Sequence, residues 1–300
     1  MAELKPAPTN LYRYRGYTKT SLDDSKSFDR LKLEIENAQR SRVWHSRLSE
    51  QNDPFDTNPA FVDSSIKEVK DFFEKSFWPI AGRNATFANE DFVKALADHG
   101  VSKSKARRHL KDFGQHIKTT RATFSDYRSS SLIACFSDRP DNVLMWSYYS
   151  SSHASFAFEF ARDPSTSSGR EAVGDVRYVS ERPMLSTLDM MHRMAAWRFP
   201  DKFQLSGEDE ARIDNATLLC KSEHWRHENE WRSLKTPKFD PGYYQIPNYM
   251  LSGIVFGARS SRSLIEFLDS IVRPSVRFSQ AKLDESDYRL VFNSLERLDG

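Results

Sequence analysis

The strongest constraint on the fold is the stretch at residues 132–160, LIACFSDRPDNVLMWSYYSSSHASFAFEF. Residues 132–136 are apolar and stop at a run of turn-forming residues, a pattern typical of a buried strand. Phe156, Phe158 and Phe160 alternate with smaller or polar residues, which is the period of a second strand. The sequence therefore predicts a chain that leaves the core at an exposed turn and returns to it along the second strand.

A short helix is predicted between these two strands. Val143, Trp146 and Tyr149 recur at a spacing of three, which places them on one helix face. Asp141 or Asn142 can cap the helix by accepting a hydrogen bond from a free backbone N–H group. These aromatic residues either pack in the core or line a ligand site at the turn, and the sequence leaves both alternatives open.

Composition narrows the class of protein. The 300 residues are 38% hydrophobic and 29% charged, which is ordinary for a globular chain. Lys+Arg number 44 against 42 Asp+Glu, a formal net charge of +2, which argues against affinity gained by coating a nucleic-acid backbone. Two cysteines, Cys135 and Cys220, give neither a disulfide framework nor a metal-binding pair. Without a signal core or a membrane-length apolar run, we expect a cytoplasmic protein with no membrane partner.

We predict an α+β fold with a mixed or antiparallel β core, because strand-like segments are spread along the whole chain. Residues 1–10 are expected to be a flexible tail, since they carry two prolines and little to bury. Residues 11–300 are expected to form a single α+β domain, with a helical insertion at about residues 62–118.

The predicted insertion contains a dense run of positive charge, SKSKARRHLK. Its basic residues include Lys103, Lys105, Arg107 and Arg108. Such a run is either a solvated helix face or a surface for a phosphate-rich partner.

Two arginines share one face of the predicted first strand, LYRYRG. Arg13 and Arg15 lie on the same side because strand side chains alternate, and Tyr14 lies on the other. Two neighbouring guanidinium groups either pair with carboxylates or hold an anion such as a phosphate.

Glu228 and Glu230 stand two residues apart in HENEWR. If this segment is a strand, both carboxylates face one way, and two close like charges raise the pKa of one of them. With Arg226 and Arg232 they could form a surface ion-pair ladder. Alternatively, a carboxylate here could stabilise positive charge that develops on a sugar.

Two other constellations are weaker. A metal site can be imagined from four neighbouring residues, Glu223, His224, His227 and Glu228. Their spacing matches no established metal-ligand motif. Cys135 and His153 could form a nucleophile and its base, although nothing in the sequence brings them together.

Five segments together resemble the bacterial family known as domain of unknown function 2971. They are LYRYRG near the start, NDPFD at 52–56, CFSDRPDNVLMWSYY at 135–149, HENEWR at 227–232 and SGIVFGARSS at 252–261. The resemblance spans roughly residues 11–292. Members usually have a histidine and a glycine where this chain has Tyr148 and Ser155. The family label by itself implies no activity.

The order of the segments also resembles ADP-ribosyltransferases of the arginine, serine, glutamate type. By that resemblance the fold would be ADP-ribosyltransferase-like, and Arg13 or Arg15 would hold NAD. Ser137 would lie beside the nicotinamide ribose, and Glu228 and Glu230 would supply the two glutamates of the E-x-E motif. This likeness is one of fold, and fold alone does not establish function.

Two hypotheses follow for the function. The first is an NAD-dependent ADP-ribosyltransferase or NAD glycohydrolase, in which Glu230 stabilises the oxocarbenium-like charge and Glu228 orients the acceptor. Tyr14, Trp146 and Tyr149 would then belong to the site that binds NAD, with Trp146 or Tyr149 stacked on a ring. The second is a non-catalytic sensor or interaction module in which the same residues pack and pair.

Overall fold

The computed structural model describes residues 6–77, 102, 104, 112–163, 173–198, 201, 203–235 and 239–297. Over these residues the chain is α+β, as expected, and its main sheet contains antiparallel and parallel strand pairs. No helix in the described part of the chain is long and apolar enough to cross a membrane.

The chain divides into two compact units. The first consists of Met1–Gln51, Ser130–Tyr178 and Lys221–Gly300, and the second of Asn52–Ser129 and Val179–Cys220. The insertion predicted at residues 62–118 falls in the second unit. The basic residues Lys103, Lys105, Arg107 and Arg108 lie outside the described residues.

The secondary structure has the following bounds. The strands are β1 (Asn10–Tyr14), β2 (Arg42–Arg47), β3 (Ala60–Val62), β4 (Leu132–Ser137), β5 (Phe156–Arg162), β6 (Gly174–Asp175), β7 (Arg177–Val179), β8 (Met184–Ser186), β9 (Cys220–Ser222), β10 (Glu230–Lys235), β11 (Gly242–Gln245), β12 (Tyr249–Phe256), β13 (Arg277–Leu283) and β14 (Leu290–Leu295). The α-helices are α1 (Lys19–Asp23), α2 (Ser25–Ala38), α3 (Ile66–Asp71), α4 (Phe113–Ser130), α5 (Val143–Tyr149), α6 (Thr187–Arg198), α7 (Gly207–Leu218) and α8 (Arg262–Ile271).

The sheet of the first unit runs in the order β11-β2-β4-β1-β5-β12-β13-β14, and β10 pairs with both β4 and β6. Strand β4 pairs with β10 along its whole length, with β2 at its beginning and with β1 at its last residue, Ser137. The pair β12 and β13 is parallel, and α8 connects its two strands. Three different strands therefore pair with β4.

Strand β5 lies at the centre of this unit and confirms the predicted strand. Phe156, Phe158 and Phe160 are buried and belong to one core with Leu31 of α2 and Leu264 of α8. An aromatic side chain of this size buries a large apolar area, so these three residues anchor the sheet against both helices.

Helix α5 follows β4, as predicted, and its cap is Asn142 rather than Asp141. The Asn142 Oδ1 atom accepts hydrogen bonds from the backbone N–H groups of Leu144 (2.9 Å) and Met145 (3.2 Å). The Trp146 side chain is fully buried. Its ring meets that of Tyr14 edge-on at 5.0 Å.

The second unit combines helices with a short parallel pair of strands, β3 and β8. Helices α6 and α7 are joined by Arg193, which pairs with Asp214 at 3.0 Å. In the NDPFD segment, Asp53 Oδ1 accepts the backbone N–H of Phe55 at 2.9 Å, as a turn-forming aspartate does.

Replacing Trp146 tests its place in the core. Trp146→Ala should lower the free energy of unfolding by ~3–5 kcal/mol, because the buried ring leaves a cavity. Urea unfolding followed by circular dichroism measures the change. Tyr148→Ala is the matched control on the same helix, since Tyr148 is 64% exposed and its loss should cost less than about 1 kcal/mol. Equal stability of the two variants would contradict a core role for Trp146.

Candidate functional site

Ser137 lies where three strands meet. It is the last residue of β4, and its register places it opposite Glu230 of β10 and opposite Tyr12 of β1. Residues directly opposite in antiparallel strands share a face, with Cβ atoms roughly 4.5–5.5 Å apart. The structure therefore brings Ser137 and Glu230 together. Ser137 is buried, and its Oγ accepts the backbone N–H of Arg139 at 3.3 Å.

The expectation that Glu228 and Glu230 share one strand is wrong. A 3-10 turn spans Glu223–Glu228, and β10 begins only at Glu230. Between them Asn229 has a left-handed backbone with φ of 45°, a conformation that asparagine tolerates better than most residues. Strand alternation therefore does not account for the proximity of the two carboxylates.

The two carboxylates meet at Lys221. Its Nζ donates to Glu228 Oε2 at 2.5 Å and to Glu230 Oε2 at 3.0 Å. Arg232 Nε donates to Glu230 Oε1 at 2.8 Å, and its Nη2 donates to Glu230 Oε2 at 3.0 Å. All four side chains are buried. We call Lys221, Glu228, Glu230 and Arg232 the charge cluster. It holds two cations and two carboxylates, so the surface ion-pair ladder is also wrong.

The surroundings of the two glutamates shift their pKa values in opposite directions. Burial alone would raise the pKa of Glu230, but Arg232 and Lys221 together hold it well below its usual range. Burial raises the pKa of Glu228, against the attraction of Lys221 and with the help of the Glu230 charge. Glu230 is therefore the carboxylate that stays ionised, and Glu228 is the one that takes up a proton first as the pH falls.

Aromatic side chains surround the charge cluster. Tyr149 donates its hydroxyl to Glu228 Oε1 at 2.6 Å, which brings this predicted site residue into the cluster. The Tyr178 hydroxyl accepts the backbone N–H of Glu230 at 2.8 Å. Lys221 Nζ lies 5.0 Å from the centre of the Trp225 ring, within cation–π range.

Arg13 and Arg15 are not brought into this cluster. Tyr12 pairs with Ser137, and alternation along β1 places Arg13 on the opposite face of the strand, whereas Arg15 follows the last residue of β1. Arg15 Nη2 binds Glu34 Oε2 at 2.7 Å, which is the structural pairing left open by the sequence. Arg13 Nη2 donates to the backbone oxygen of Trp44 at 2.8 Å.

Tyr14 and Trp146 are also placed elsewhere than the charge cluster. Both are buried in a core with Met145 and Ala157. The Tyr14 hydroxyl donates to the backbone oxygen of Arg139 at 2.7 Å, so its polar end is satisfied within the protein. Of the predicted aromatic site residues, Tyr149 is the one that contacts a predicted catalytic side chain.

The structure does not bring together the other two groups considered from the sequence, a metal site and a nucleophile with its base. No group of three or more His, Cys, Asp or Glu side chains in the described part of the chain is arranged to hold a metal ion. His153 Nε2 lies 3.2 Å from Ser147 Oγ, and Cys135 Sγ contacts Gln51 Oε1 at 3.9 Å. Burial and the Glu230 carboxylate raise the pKa of the Cys135 thiol, which opposes a nucleophilic role.

Sequence reasoning missed Lys221. In the run KSEHWRHENEWR it has the appearance of one more surface charge. The sequence could have indicated Lys221 only indirectly, since two carboxylates that are buried close together need cations beside them.

Comparisons with protein-family models, with curated proteins and with solved structures found no match. The functional argument therefore rests on the geometry of the charge cluster and of Ser137.

Removing the Lys221 charge tests the cluster. Lys221→Met should lower the free energy of unfolding by ~3–5 kcal/mol at pH 8, because it leaves a buried carboxylate without its cation. Without this cation the folded-state pKa values of both glutamates rise, so the stability they contribute when ionised is lost. At pH 5 protonation of Glu228 relieves part of the cost, and the loss should be smaller.

Urea unfolding at the two pH values measures this difference. The control is Lys26→Met, because Lys26 is an exposed lysine on α2. A loss for Lys221→Met that is equal at pH 5 and pH 8 would show that the lysine matters only for packing.

Proposed function

We propose that this chain cleaves the nicotinamide–ribose bond of NAD, as an ADP-ribosyltransferase or an NAD glycohydrolase with an ADP-ribosyltransferase-like fold. One observation carries the proposal. Glu230 lies directly opposite Ser137 on neighbouring strands, at the point where β4 also meets β1. This is the arrangement of serine and glutamate that the resemblance to arginine, serine, glutamate ADP-ribosyltransferases implies.

The chemistry needs a fixed negative charge near the ribose. When the bond breaks, its electron pair leaves with nicotinamide, and positive charge develops on the ribose carbon and ring oxygen. An ionised carboxylate held in a buried site stabilises that charge without having to reorganise. Glu230 has this character, because Arg232 and Lys221 keep its pKa low. Ser137 would hydrogen-bond a ribose hydroxyl beside it.

The second step needs a group that accepts a proton. Water or an acceptor hydroxyl or amine attacks the ribose carbon and releases its proton. Glu228 suits this step, because burial raises its pKa and Tyr149 and Lys221 fix its two oxygens. A base whose pKa moves toward neutrality transfers protons more effectively.

The aromatic side chains offer stacking surfaces for the rings of NAD. Tyr149, Trp225 and Tyr178 are half-buried, and Tyr148 at the end of α5 is exposed. Base stacking on such rings is favourable for any planar heterocycle. We assign no phosphate contact to Arg13 or Arg15, because Arg13 lies on the other face of β1 and Arg15 is paired with Glu34.

A second candidate is a non-catalytic binding module, and one observation favours it. Both carboxylate oxygens of Glu230 are already occupied, by Arg232 and by Lys221, and the residue is 4% exposed. A carboxylate neutralised in this way contributes to structural specificity and has less charge left for a substrate. In this case the charge cluster holds β10 against the preceding turn and does no chemistry.

Nicotinamide release distinguishes the two candidates. Purified wild type, Glu230→Gln and Glu228→Gln are incubated with NAD, and nicotinamide is quantified by chromatography. If the chain is an enzyme, wild type releases nicotinamide and Glu230→Gln loses on the order of 10²–10³ in rate, the usual loss for one preorganised electrostatic group. The loss should fall on turnover more than on binding, since the charge acts in the transition state.

Glu36→Gln is the matched control, because Glu36 is an exposed glutamate on α2. Melting curves establish that each variant is folded at the assay temperature. Release by Glu230→Gln at the wild-type rate would refute the catalytic assignment. Absence of release by folded wild type at millimolar NAD, together with a lower melting temperature for Glu230→Gln, is the result expected of the non-catalytic module.

A further inference from the structure

Strand β14 forms one edge of the main sheet. It pairs with β13 over Leu290–Leu295 without a shift in register, and among the described residues no strand lies on its other side. A strand at a sheet edge presents a row of backbone N–H and C=O groups that have no ladder partner, and such a row is a template for a further strand. The sheet can therefore be extended at β14.

The hairpin that joins β13 to β14 indicates which backbone groups point outward. The backbone N–H of Asp284 donates to the backbone oxygen of Arg289 at 3.1 Å, so these residues form a hydrogen-bonded pair. Hydrogen-bonded pairs alternate along an antiparallel ladder. By this alternation Asn293 bonds to β13, whereas the backbone groups of Phe292 and Ser294 point away from it. These outward groups have no hydrogen-bond partner in the part of the chain that the structure describes.

The two ends of the sheet differ in how well they resist strand addition. Strand β11, at the other end, has four residues and begins with a glycine. Pro241 precedes it and Pro247 follows shortly after it, so a neighbouring strand could pair over only a short length. Strand β14 has six residues, LVFNSL, with no proline, glycine or charged residue. The usual protections of an edge strand are therefore missing from β14.

The sequence of β14 complements itself in an antiparallel pair. With Asn293 opposite Asn293 of a second copy, the outward backbone groups of Phe292 meet those of Ser294, and each pair exchanges hydrogen bonds. Val291, which is 37% exposed, then lies opposite the half-buried Leu295, which makes an apolar cross-strand pair. The two Asn293 amides both donate and accept, so they also suit each other. No like charges meet, because β14 contains no ionisable side chain.

We propose that β14 pairs antiparallel with β14 of a second copy of this chain, with Asn293 on the two-fold axis. Such an isologous contact uses the same surface on both copies, and β14 matches itself in hydrogen bonds, apolar side chains and charge. The two sheets would then be continuous across the axis. The inference goes beyond NAD cleavage, because β14 contributes no residue to the charge cluster and pairs whether or not that cluster is catalytic.

Sedimentation equilibrium over a series of protein concentrations tests the pairing, and wild type should show a monomer–dimer equilibrium. Asn293 is exposed, so a charge there should not disturb the monomer. Asn293→Lys and Asn293→Glu each place like charges opposite one another at the axis, and each should raise the dissociation constant about tenfold. An equal mixture of the two variants brings opposite charges together, so it should form a heterodimer more tightly than either variant pairs with itself.

Ser294→Pro tests the backbone directly, because it removes an outward N–H from each copy and should weaken the dimer about tenfold. Ser294→Ala is the matched control, since it keeps the N–H and should pair as wild type does. If the proline variant fails to fold, the two Asn293 variants still test the pairing. Wild type that stays monomeric at every concentration would overturn the proposal. So would a dimer that Asn293→Lys leaves unchanged, or a mixture of the charged variants that does not associate.

Discussion

The interior of the first unit depends on compensation of two buried negative charges. Glu228 and Glu230 would each destabilise the fold by several kcal/mol if they were buried alone, because an ion loses its hydration when it leaves water. Lys221 contacts both carboxylates, and Arg232 contacts one of them. These contacts connect the start of β10, the turn before it and β9. Any function assigned to the glutamates has to be compatible with these buried ion pairs, which stabilise the fold.

Local patterns in the sequence were sufficient for the elements that position the site. The apolar run of β4, a cap of α5 at Asp141 or Asn142 and the alternating phenylalanines of β5 are each predicted from a few neighbouring residues. The structure contains all three, with Asn142 as the cap. The α+β class followed from the same patterns. Periodicity succeeds here because these elements bury a face whose spacing is set by backbone geometry.

The placement of charged side chains could not be read in the same way. Alternation predicted that Arg13 and Arg15 share one face, but it could not predict that Arg15, which follows the end of β1, would pair with Glu34 of α2. The left-handed residue Asn229 breaks the strand between the two glutamates, and one residue is too small a signal to detect. Lys221 was missed because burial of a lysine is a property of the folded chain, and the residues next to it in sequence do not indicate it.

The position of Ser137 also determines at what point in synthesis of the chain the site can form. Its two strand partners are far apart in sequence, because Tyr12 lies in β1 and Glu230 lies in β10. A ribosome adds roughly 5–20 residues per second, so β1 and β4 are complete several seconds before β10 emerges. Contacts this distant in sequence form only after long loops have closed. A nascent chain that stops before β10 carries the serine without the glutamate, so the pair can assemble only after β10 has been synthesised.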